Sequence, residues 1–494
     1  MKGFYRAMML LLVFCLCGAV IVGCGGDGTT ETTGEETTAA GTEDGSDVTT
    51  APGTETERNT EGETTTDTEE VTTGLSDAEI KKQKMDAIRA NTTTAILPIG
   101  GWSTPASALR DHNTTAGNYA KQFQKLADAG IGFMITLEEW SSPTWSLESL
   151  KAAKAAGMKL YYNAAGQELE YTKEKLEKIL ASEDADAFAG VYVMDEPNKD
   201  QLDGLATLTK GIRDFLKEKG REDIPVFSNL LPTYAGTAAT GDYLTYIRDY
   251  AQKTKPSYLL FDYYPYGKGG ENLNGMMGDL AAFRKVANET GIPMFPYVQS
   301  SGSNTMAEPT ENQLLANAHI NLAFGSKGIL YFLLCEHYEG WEYTNILKAD
   351  GKTTRQYTRV QSVNKKLQGM QGVFLSYENQ GMMVFENDKA KANITKYGDE
   401  LVLESYAGLK DAAVSKGNGV LIGCFRNQDG QEALYVVNCD TKRNTSVTLT
   451  FDHAVEAALW GYEGLEDLLE GETLTLPLDR GQGVFLVLQK DAGN

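Results

Sequence analysis

The sequence predicts an α/β fold, a (β/α)8 barrel followed by an antiparallel β-sandwich, and two patterns predict it. Between residues 95 and 372, eight short apolar runs alternate with helical segments, and such runs are typical of strands buried on both faces of a parallel sheet. From residue 373 the runs alternate in polarity and turn signals such as Asn427–Gly430 separate them, which is typical of antiparallel strands. An open doubly wound sheet is the alternative for the first part, and eight β/α repeats favour the closed barrel.

The N-terminus has the features of an export signal. Lys2 and Arg6 precede an apolar run that ends at Val22 and is short for a membrane span. The run closes with Gly23 and Cys24, which resembles a bacterial lipobox, so residues 1–24 are expected to be a lipoprotein signal peptide with lipidation at Cys24. An uncleaved anchor helix is the alternative, and both place the rest of the chain outside the cytoplasmic membrane, at the cell surface.

Residues 25–75 predict a disordered tether between that anchor and the folded part. They consist mainly of Thr, Glu and Gly, with 14 acidic residues against one basic residue, Arg58. Such a segment has too little apolar surface to offset the entropy of ordering it, and its like charges extend it. The domains expected after the tether are a barrel over residues 76–372 and a β-sandwich over residues 373–494.

Composition also limits the partners. Outside the tether the chain is mildly acidic and has no block of Lys and Arg, so a nucleic-acid partner is not expected. No Cys/His spacing typical of a metal site occurs, and neither a metal nor an organic cofactor is indicated. Cys335, Cys424 and Cys439 remain after export, and a bridge between the last two is left open. The sequence does not indicate an oligomeric state.

The eight expected strands each carry a β-rich apolar run, and helices with one apolar face lie between them. The runs are Ala95–Gly100, Gly132–Leu137, Lys159–Ala164, Gly190–Asp195, Pro225–Asn229, Tyr258–Asp262, Met294–Gln299 and Gly328–Leu334. In the segment Asn118–Ala129, apolar residues recur at helical spacing, and Gly130 follows where a C-cap glycine belongs. The pattern returns at Leu150–Ala156 and at Leu205–Lys219.

Most of these runs end in polar or aromatic residues. In a barrel, the carboxyl ends of the strands form the face that carries active sites. The strand-end residues are Trp102, Glu138, Glu139, Trp140, Asn163, Asp195, Glu196, Asn229, Asp262, Tyr264, Gln299, Glu336 and His337. Carboxyl groups move protons, amides bind hydroxyls and flat rings pack on pyranose faces, so the pattern predicts a carbohydrate site.

The motif Asp195-Glu196-Pro197 after the fourth run resembles the Asn-Glu-Pro of retaining glycoside hydrolases of the large (β/α)8 clan, which includes the family 42 β-galactosidases. A closer resemblance, to family-42-like bacterial surface lipoproteins, rests also on Phe261–Pro265, Gln299-Ser300 and Gly328–Phe332. The resemblance implies that Glu196 is the general acid/base. The clan's second glutamate ends strand seven, where this chain has Gln299.

The second carboxyl group is therefore left open between Asp262 and Glu336, with Glu138 and Glu139 weaker candidates. A carboxyl separation of about 5–5.5 Å would indicate retention and one of about 6.5–9.5 Å inversion. The residues expected to bind substrate are Asp195, Trp102, Trp140, Asn163, Asn229, Tyr264, Gln299 and Trp341. The alternatives are that Glu196 only caps a helix and that the tryptophans belong to the core.

Together these observations predict an exported, lipid-anchored glycoside hydrolase that cleaves the O-glycosidic bonds of an oligo- or polysaccharide. Its membrane contact would be the lipid anchor alone. Gln299 in place of the clan's glutamate supports the alternative, a non-catalytic carbohydrate-binding surface lipoprotein on a degenerate barrel. A structural or adhesive surface protein would explain the tether, but not the acids at the strand ends.

Overall fold

A computed structural model describes residues 75–105, 116–136, 143–336 and 342–489. The expected lipidation site Cys24 and almost all of the tether lie outside these ranges, as do Trp140 and Trp341. Glu138, Glu139 and His337 lie outside them as well.

The first part of the chain is a parallel barrel with eight strand positions. Seven strands form one curled sheet in the order β10-β11-β1-β2-β3-β4-β5. After Ser228 the chain continues from β5 into β6, which pairs in parallel with β7, and Leu259 beside β7 bridges to Met294 beside β10. The circle is thereby closed, and the predicted (β/α)8 fold is confirmed. The barrel strands are β1 Ile99–Trp102, β2 Phe133–Ile135, β3 Lys159–Asn163, β4 Phe188–Tyr192, β5 Val226–Phe227, β6 Asn229–Leu230, β7 Leu260–Phe261, β10 Tyr297–Gln299 and β11 Ile329–Phe332; a small hairpin is formed by β8 Tyr266–Gly267 and β9 Gly270–Glu271.

Helices alternate with these strands along the chain, and an apolar face packs them on the barrel. In α2 (Ala116–Asp128), Tyr119, Phe123 and Leu126 are buried against the barrel, and Gly130 follows with φ 82°, a conformation that glycine adopts without strain. The helices are α1 Asp77–Ala90, α2, α3 Pro143–Ala155, α4 Leu169–Leu180, α5 Leu202–Glu218, α6 Thr237–Thr240, α7 Tyr243–Thr254, α8 Leu273–Thr290, α9 Glu311–Ala323, α10 Arg355–Gln368, α11 Gln371–Phe374 and α12 Asp388–Thr395.

The C-terminal part is an antiparallel sheet that bends to form its own core, as the alternating pattern predicts. Its hydrogen-bonded order is β12-β14-β15-β18-β16-β13, with β17 paired to β16. Register shifts between Thr450 and Val455 bend the long β16–β17 hairpin. The strands are β12 Tyr377–Phe385, β13 Leu409–Val414, β14 Val420–Asn427, β15 Glu432–Asn438, β16 Thr445–Gly461, β17 Gly464–Leu478 and β18 Gly483–Leu488.

Strands β14 and β15 join the two parts of the chain, because the side chains on their two faces pack into different cores. Ile422 and Val436 point into the core of the sheet domain, whereas Phe425 and Tyr435 pack with the barrel core. At this joint the buried His319 of α9 shares a 2.8 Å hydrogen bond between its Nδ1 and the Tyr435 hydroxyl. Burial lowers the pKa of His319 to about 3, so this imidazole stays neutral.

The first helix packs on the sheet domain. Lys84 of α1 pairs with Glu456, and Arg89 donates to the carbonyl oxygen of Leu465 at 2.9 Å. The segment that follows the expected tether therefore lies against the β16–β17 hairpin. In the described part of the chain no helix is long and apolar enough to span a membrane, and no group of His, Cys, Asp and Glu is arranged to hold a metal ion. Cys335 is buried, and Cys424 and Cys439 are buried free thiols that do not form the bridge left open above.

Candidate active site

Three carboxyl groups meet at the carboxyl ends of the fourth and sixth barrel positions. Asp195 and Glu196 follow β4, and Asp262 follows β7. The amide of Asn229, at the start of β6, lies between them: its Nδ2 donates to Asp262 Oδ1 at 2.7 Å and to Asp195 Oδ1 at 3.4 Å. Glu196 and Asp262 are hydrogen-bonded to each other. The structure thus brings four residues predicted from the sequence into one network.

Burial controls the charge of this network. Burial and the negative charge of Asp262 raise the pKa of Asp195 to about 7, although hydrogen bonds from Tyr192 and Asn229 act in the opposite direction. Burial likewise raises the pKa of Asp262, against hydrogen bonds with Asn229, Tyr264 and Glu196. Near neutral pH the network therefore holds a proton that solvent-exposed aspartates would have lost.

Glu196 has an unusual backbone conformation. Its φ is 45°, in the left-handed region, which costs a residue with a Cβ about 1–2 kcal/mol. Two contacts hold it there: the Glu196 amide donates to the Asn229 carbonyl oxygen at 3.1 Å, and the Tyr246 hydroxyl donates to the carbonyl oxygen of Pro197 at 2.5 Å. Glu196 adopts this conformation in the segment after β4, where its carboxyl is hydrogen-bonded to Asp262. A solvated helix-capping acid would not need this geometry.

Aromatic rings line the same end of the barrel. Phe332, at the end of β11, packs against Trp102 with ring centroids 5.9 Å apart and against Tyr264 at 4.9 Å. Tyr343 meets the other edge of Phe332 at 5.4 Å. The buried indole Nε1 of Trp102 has no hydrogen-bond partner among the described residues. Trp102 and Tyr264, predicted from the sequence, thus belong to one aromatic wall beside the carboxyl groups.

Gln299 has a different environment from the one its position suggests. It is fully buried, its Oε1 accepts from the Tyr266 amide at 2.9 Å, and its Nε2 donates to the carbonyl oxygens of Tyr266, Ser301 and Ala307 at 3.0–3.1 Å. These four bonds tie the loop after β10 to the β8–β9 hairpin. The expected sugar contact of Gln299 stays a prediction, and it would require breaking some of them.

Two other predicted residues also stabilise loops. The Asn163 Oδ1 accepts from the Ala165 amide at 2.9 Å, which shapes the turn after β3. The Glu336 Oε2 accepts from the Ala349 amide at 3.2 Å, after β11. No described contact joins either side chain to the carboxyl network. Their expected roles, in substrate binding and as second carboxyl group, stay predictions.

The expected role of Asp262 as the second catalytic group also stays a prediction. A hydrogen bond joins Asp262 to Glu196, whereas the two carboxyl groups of a glycosidase pair stand apart on either side of the scissile bond. A role of Asp262 as nucleophile or base therefore requires the two groups to separate when a sugar enters.

Several tyrosines of the site were missed from the sequence. The Tyr192 hydroxyl donates to Asp195 Oδ1 at 2.5 Å. Burial, and after it the charges of acids that include Asp262 and Glu196, raise the pKa of the Tyr297 and Tyr234 phenols. For Tyr297 a signal was available: it precedes Gln299 by two, and alternate strand residues share a face.

Comparisons with known proteins support the fold. No family model matches the chain, and no curated protein matches it either. Among solved structures it is similar to Gan42B, a GH42 beta-galactosidase, with a TM-score of 0.51 and 10% identity over 81% of this chain and 99% of that one. A glycoside hydrolase family 5 protein from Bacteroides vulgatus ATCC 8482 has a TM-score of 0.48 and 10% identity over 81% of this chain and 90% of that one. The similarity to Gan42B shows that the chain resembles a (β/α)8 glycoside hydrolase in fold.

Proposed function

We propose that this chain is a glycoside hydrolase in which Glu196 acts as the general acid. The observation that carries the proposal is the hydrogen-bonded network of Asp195, Glu196 and Asp262 at the carboxyl end of the barrel. The protein keeps it partly protonated by burial, and a general acid must hold its proton at working pH.

In the proposed reaction, Glu196 transfers its proton to the glycosidic oxygen as the bond to the anomeric carbon breaks, and the leaving sugar departs as an alcohol. Asp195 is fixed by Tyr192 and Asn229 and is suited to bind a sugar hydroxyl or to orient Glu196. The wall of Trp102, Phe332 and Tyr264 would pack on the sugar ring. Asp262 or Glu336 would act as nucleophile or water-activating base.

The test is hydrolysis of 4-nitrophenyl and 2,4-dinitrophenyl glycosides, with the β-D-galactosides as first probes because Gan42B is described as a beta-galactosidase. The E196Q variant should lose about 100-fold or more of the rate on the poorer leaving group and much less on dinitrophenolate, which departs without a proton. The matched control is D200N, an exposed acid shortly after Glu196. Equal losses on both substrates, or full activity of E196Q, would contradict the role of Glu196.

One observation favours the alternative of a carbohydrate-binding protein without activity. Gln299 stands where the clan has its second glutamate, and backbone groups occupy its amide. In that case glycan binding would be measurable, no glycoside would be cleaved, and E196Q would bind as the wild type does.

We also propose that the chain is exported and anchored through Cys24 on the outer face of the cell membrane. The lipobox-like Gly23-Cys24 and the acidic segment after it support this. Replacing Cys24 by Ala should release the protein from the membrane fraction, as judged by cell fractionation and by mass spectrometry of the N-terminus. Retention of the variant would contradict lipidation and favour the uncleaved anchor helix.

A further inference from the structure

We propose that the C-terminal sheet domain positions the loop that carries Asp262, and that Thr441 and Glu271 are the positioning residues that make this connection. Where it concerns catalysis, the inference rests on the proposed function. It starts from a contact between the two parts of the chain: the Thr441 hydroxyl donates to both carboxylate oxygens of Glu271, at 3.0 Å from Oε1 and 2.8 Å from Oε2. Thr441 follows β15 of the sheet domain, and Glu271 ends the β8–β9 hairpin of the barrel.

The carboxylate of Glu271 is the centre of this contact. The hairpin backbone faces solvent, whereas only 21% of the Glu271 side chain is exposed, and Thr441 is buried. Gln313 of α9 also donates to Glu271 Oε1, at 3.1 Å, and the Lys442 ammonium lies 3.5 Å from the same oxygen. Hydrogen bonds to a charged acceptor are about twice as strong as neutral ones, whereas an exposed ion pair contributes little. The hydroxyl of Thr441 is therefore the main contribution of the sheet domain.

The turn that presents Thr441 is held within its own domain. Asp440 Oδ1 accepts from the amides of Lys442 at 2.8 Å and Arg443 at 2.9 Å. Asn438 Oδ1 accepts from the Asp440 amide at 2.9 Å, and its Nδ2 donates to the Arg443 carbonyl oxygen at 3.0 Å. Asn438 and Asp440 are both buried. The Thr441 hydroxyl thus has a fixed position that does not depend on the hairpin it contacts.

The hairpin connects Glu271 to the loop of Asp262, which runs from β7 to β8. Tyr266 of β8 pairs with Glu271 of β9, and the Asn272 amide donates to the Pro265 carbonyl oxygen at 2.8 Å. The loop therefore ends where the two strands of the hairpin are joined. A movement of β9 would pass to the last residue of the loop, three positions after Asp262.

The barrel itself holds the other strand of the hairpin. The bonds of Gln299 reach Tyr266, the Ala307 amide donates to the Tyr266 carbonyl oxygen at 2.9 Å, and the Lys268 amide donates to that of Thr305 at 3.0 Å. These bonds fix β8, whereas the side-chain contacts of Glu271 fix β9. Loss of the Thr441 hydroxyl is therefore expected to loosen β9 and the loop joined to it, while the fold persists.

The loop so held takes part in both halves of the candidate active site. Asp262 accepts from Asn229 at 2.7 Å within the carboxyl network, and the Tyr264 ring lies 4.9 Å from Phe332 in the aromatic wall. Displacing a catalytic group by about 1 Å can cost about 100-fold in rate. A sheet domain that fixes the far end of this loop would thus preserve the geometry that the proposed reaction requires.

The first test is hydrogen–deuterium exchange of the full chain, read by mass spectrometry. T441V removes the hydroxyl and keeps the shape, T441S keeps the hydroxyl, and T448V is the matched control because Thr448 pairs with Thr475 inside the sheet domain. In T441V, residues 262–272 should exchange about tenfold faster, with T441S and T448V at the wild-type rate. Unchanged exchange in T441V would overturn the inference, and so would an equal increase in β14 and β15, which would indicate a general loss of stability.

The second test is hydrolysis of 4-nitrophenyl β-D-galactoside. T441V should lower kcat about tenfold with KM changed less than about twofold, because Trp102 and Phe332 lie on other strands and still contact the sugar. T441S should restore kcat, and T448V should not alter it. An active T441V with faster exchange and full kcat would overturn the positioning role. If the wild type cleaves no glycoside, the proposed function fails, and the exchange measurement alone decides whether the sheet domain holds the loop.

Discussion

The raised pKa of Asp195 predicts a stability effect with a definite sign. The pKa moves from 3.8 to about 7 on folding, roughly three units, and each unit corresponds to about 1.36 kcal/mol. Because the folded-state pKa of Asp195 is the higher one, the folded protein is favoured while the carboxyl is protonated. This favourable contribution to the free energy of unfolding is fully present below pH 3.8 and is lost as the pH rises through about 7. Over that window the Asp195 carboxyl lowers the free energy of unfolding by at most about 4 kcal/mol.

The D195N variant isolates this effect. An asparagine Oδ1 can still accept from Tyr192 and Asn229, but the side chain carries no charge at any pH. Thermal unfolding followed by circular dichroism should show nearly equal stability of variant and wild type at pH 4. The advantage of D195N should grow above about pH 4 and level off once the pH exceeds about 7.

The control is D200N, which removes an exposed acid from the segment after Glu196. It corrects for the repulsion that a chain of net charge −23 experiences as the pH rises. A constant difference between D195N and wild type across the pH range would refute the reasoning, as would a wild type that becomes the more stable protein at pH 9.

Two further predictions concern packing. Q299E, which restores the clan's residue, should not raise activity above that of the wild type and should lower the free energy of unfolding by more than about 2 kcal/mol, because a carboxylate would face the carbonyl oxygens that now accept from Nε2. Chemical denaturation and the glycoside assay measure the two effects, and a Q299E variant that is as stable as the wild type and more active would contradict this. G423A should lower stability by about 1–3 kcal/mol, since its Cβ would lie 2.3 Å from the Ala323 carbonyl oxygen at the joint of the two parts. G204A, whose Cβ would meet nothing within 4 Å, is its control and should raise stability by up to about 1 kcal/mol; equal effects of the two would refute the tight joint.

The fold could be predicted because its signals are local. The helix predicted at Asn118–Ala129 forms over Ala116–Asp128, since the spacing of Phe123 and Leu126 and the glycine after them depend on neighbours in sequence. The order of strands followed in the same way, because β/α repeats leave few topologies. The position of α1 on the β16–β17 hairpin could not be predicted, since polar contacts between distant surfaces fix it.

The site was predictable only as a set of residues at strand ends. That Asp195, Glu196 and Asp262 would lie at one face followed from their places after β-runs. Their hydrogen bonds did not follow, because they depend on the left-handed backbone conformation of Glu196 and on the amide of Asn229. The use of Gln299 to hold loops could not be seen either, since its four partners are backbone atoms whose positions the loop conformations decide.

Some unfavourable features of this protein lie at the carboxyl network, and they favour hydrolysis over simple binding. A left-handed Glu196 costs about 1–2 kcal/mol, and each unpartnered hydroxyl of Tyr234 and Tyr297 about 1–3 kcal/mol, against a total stability of typically 5–15 kcal/mol. A fold retains such costs where a function requires them. A binding site for neutral sugars needs carboxylates as acceptors, and burial that raises the pKa of Asp195 and of Asp262 weakens that property. A carboxyl network that retains a proton near neutral pH is useful where that proton leaves during the reaction, as it does in acid catalysis.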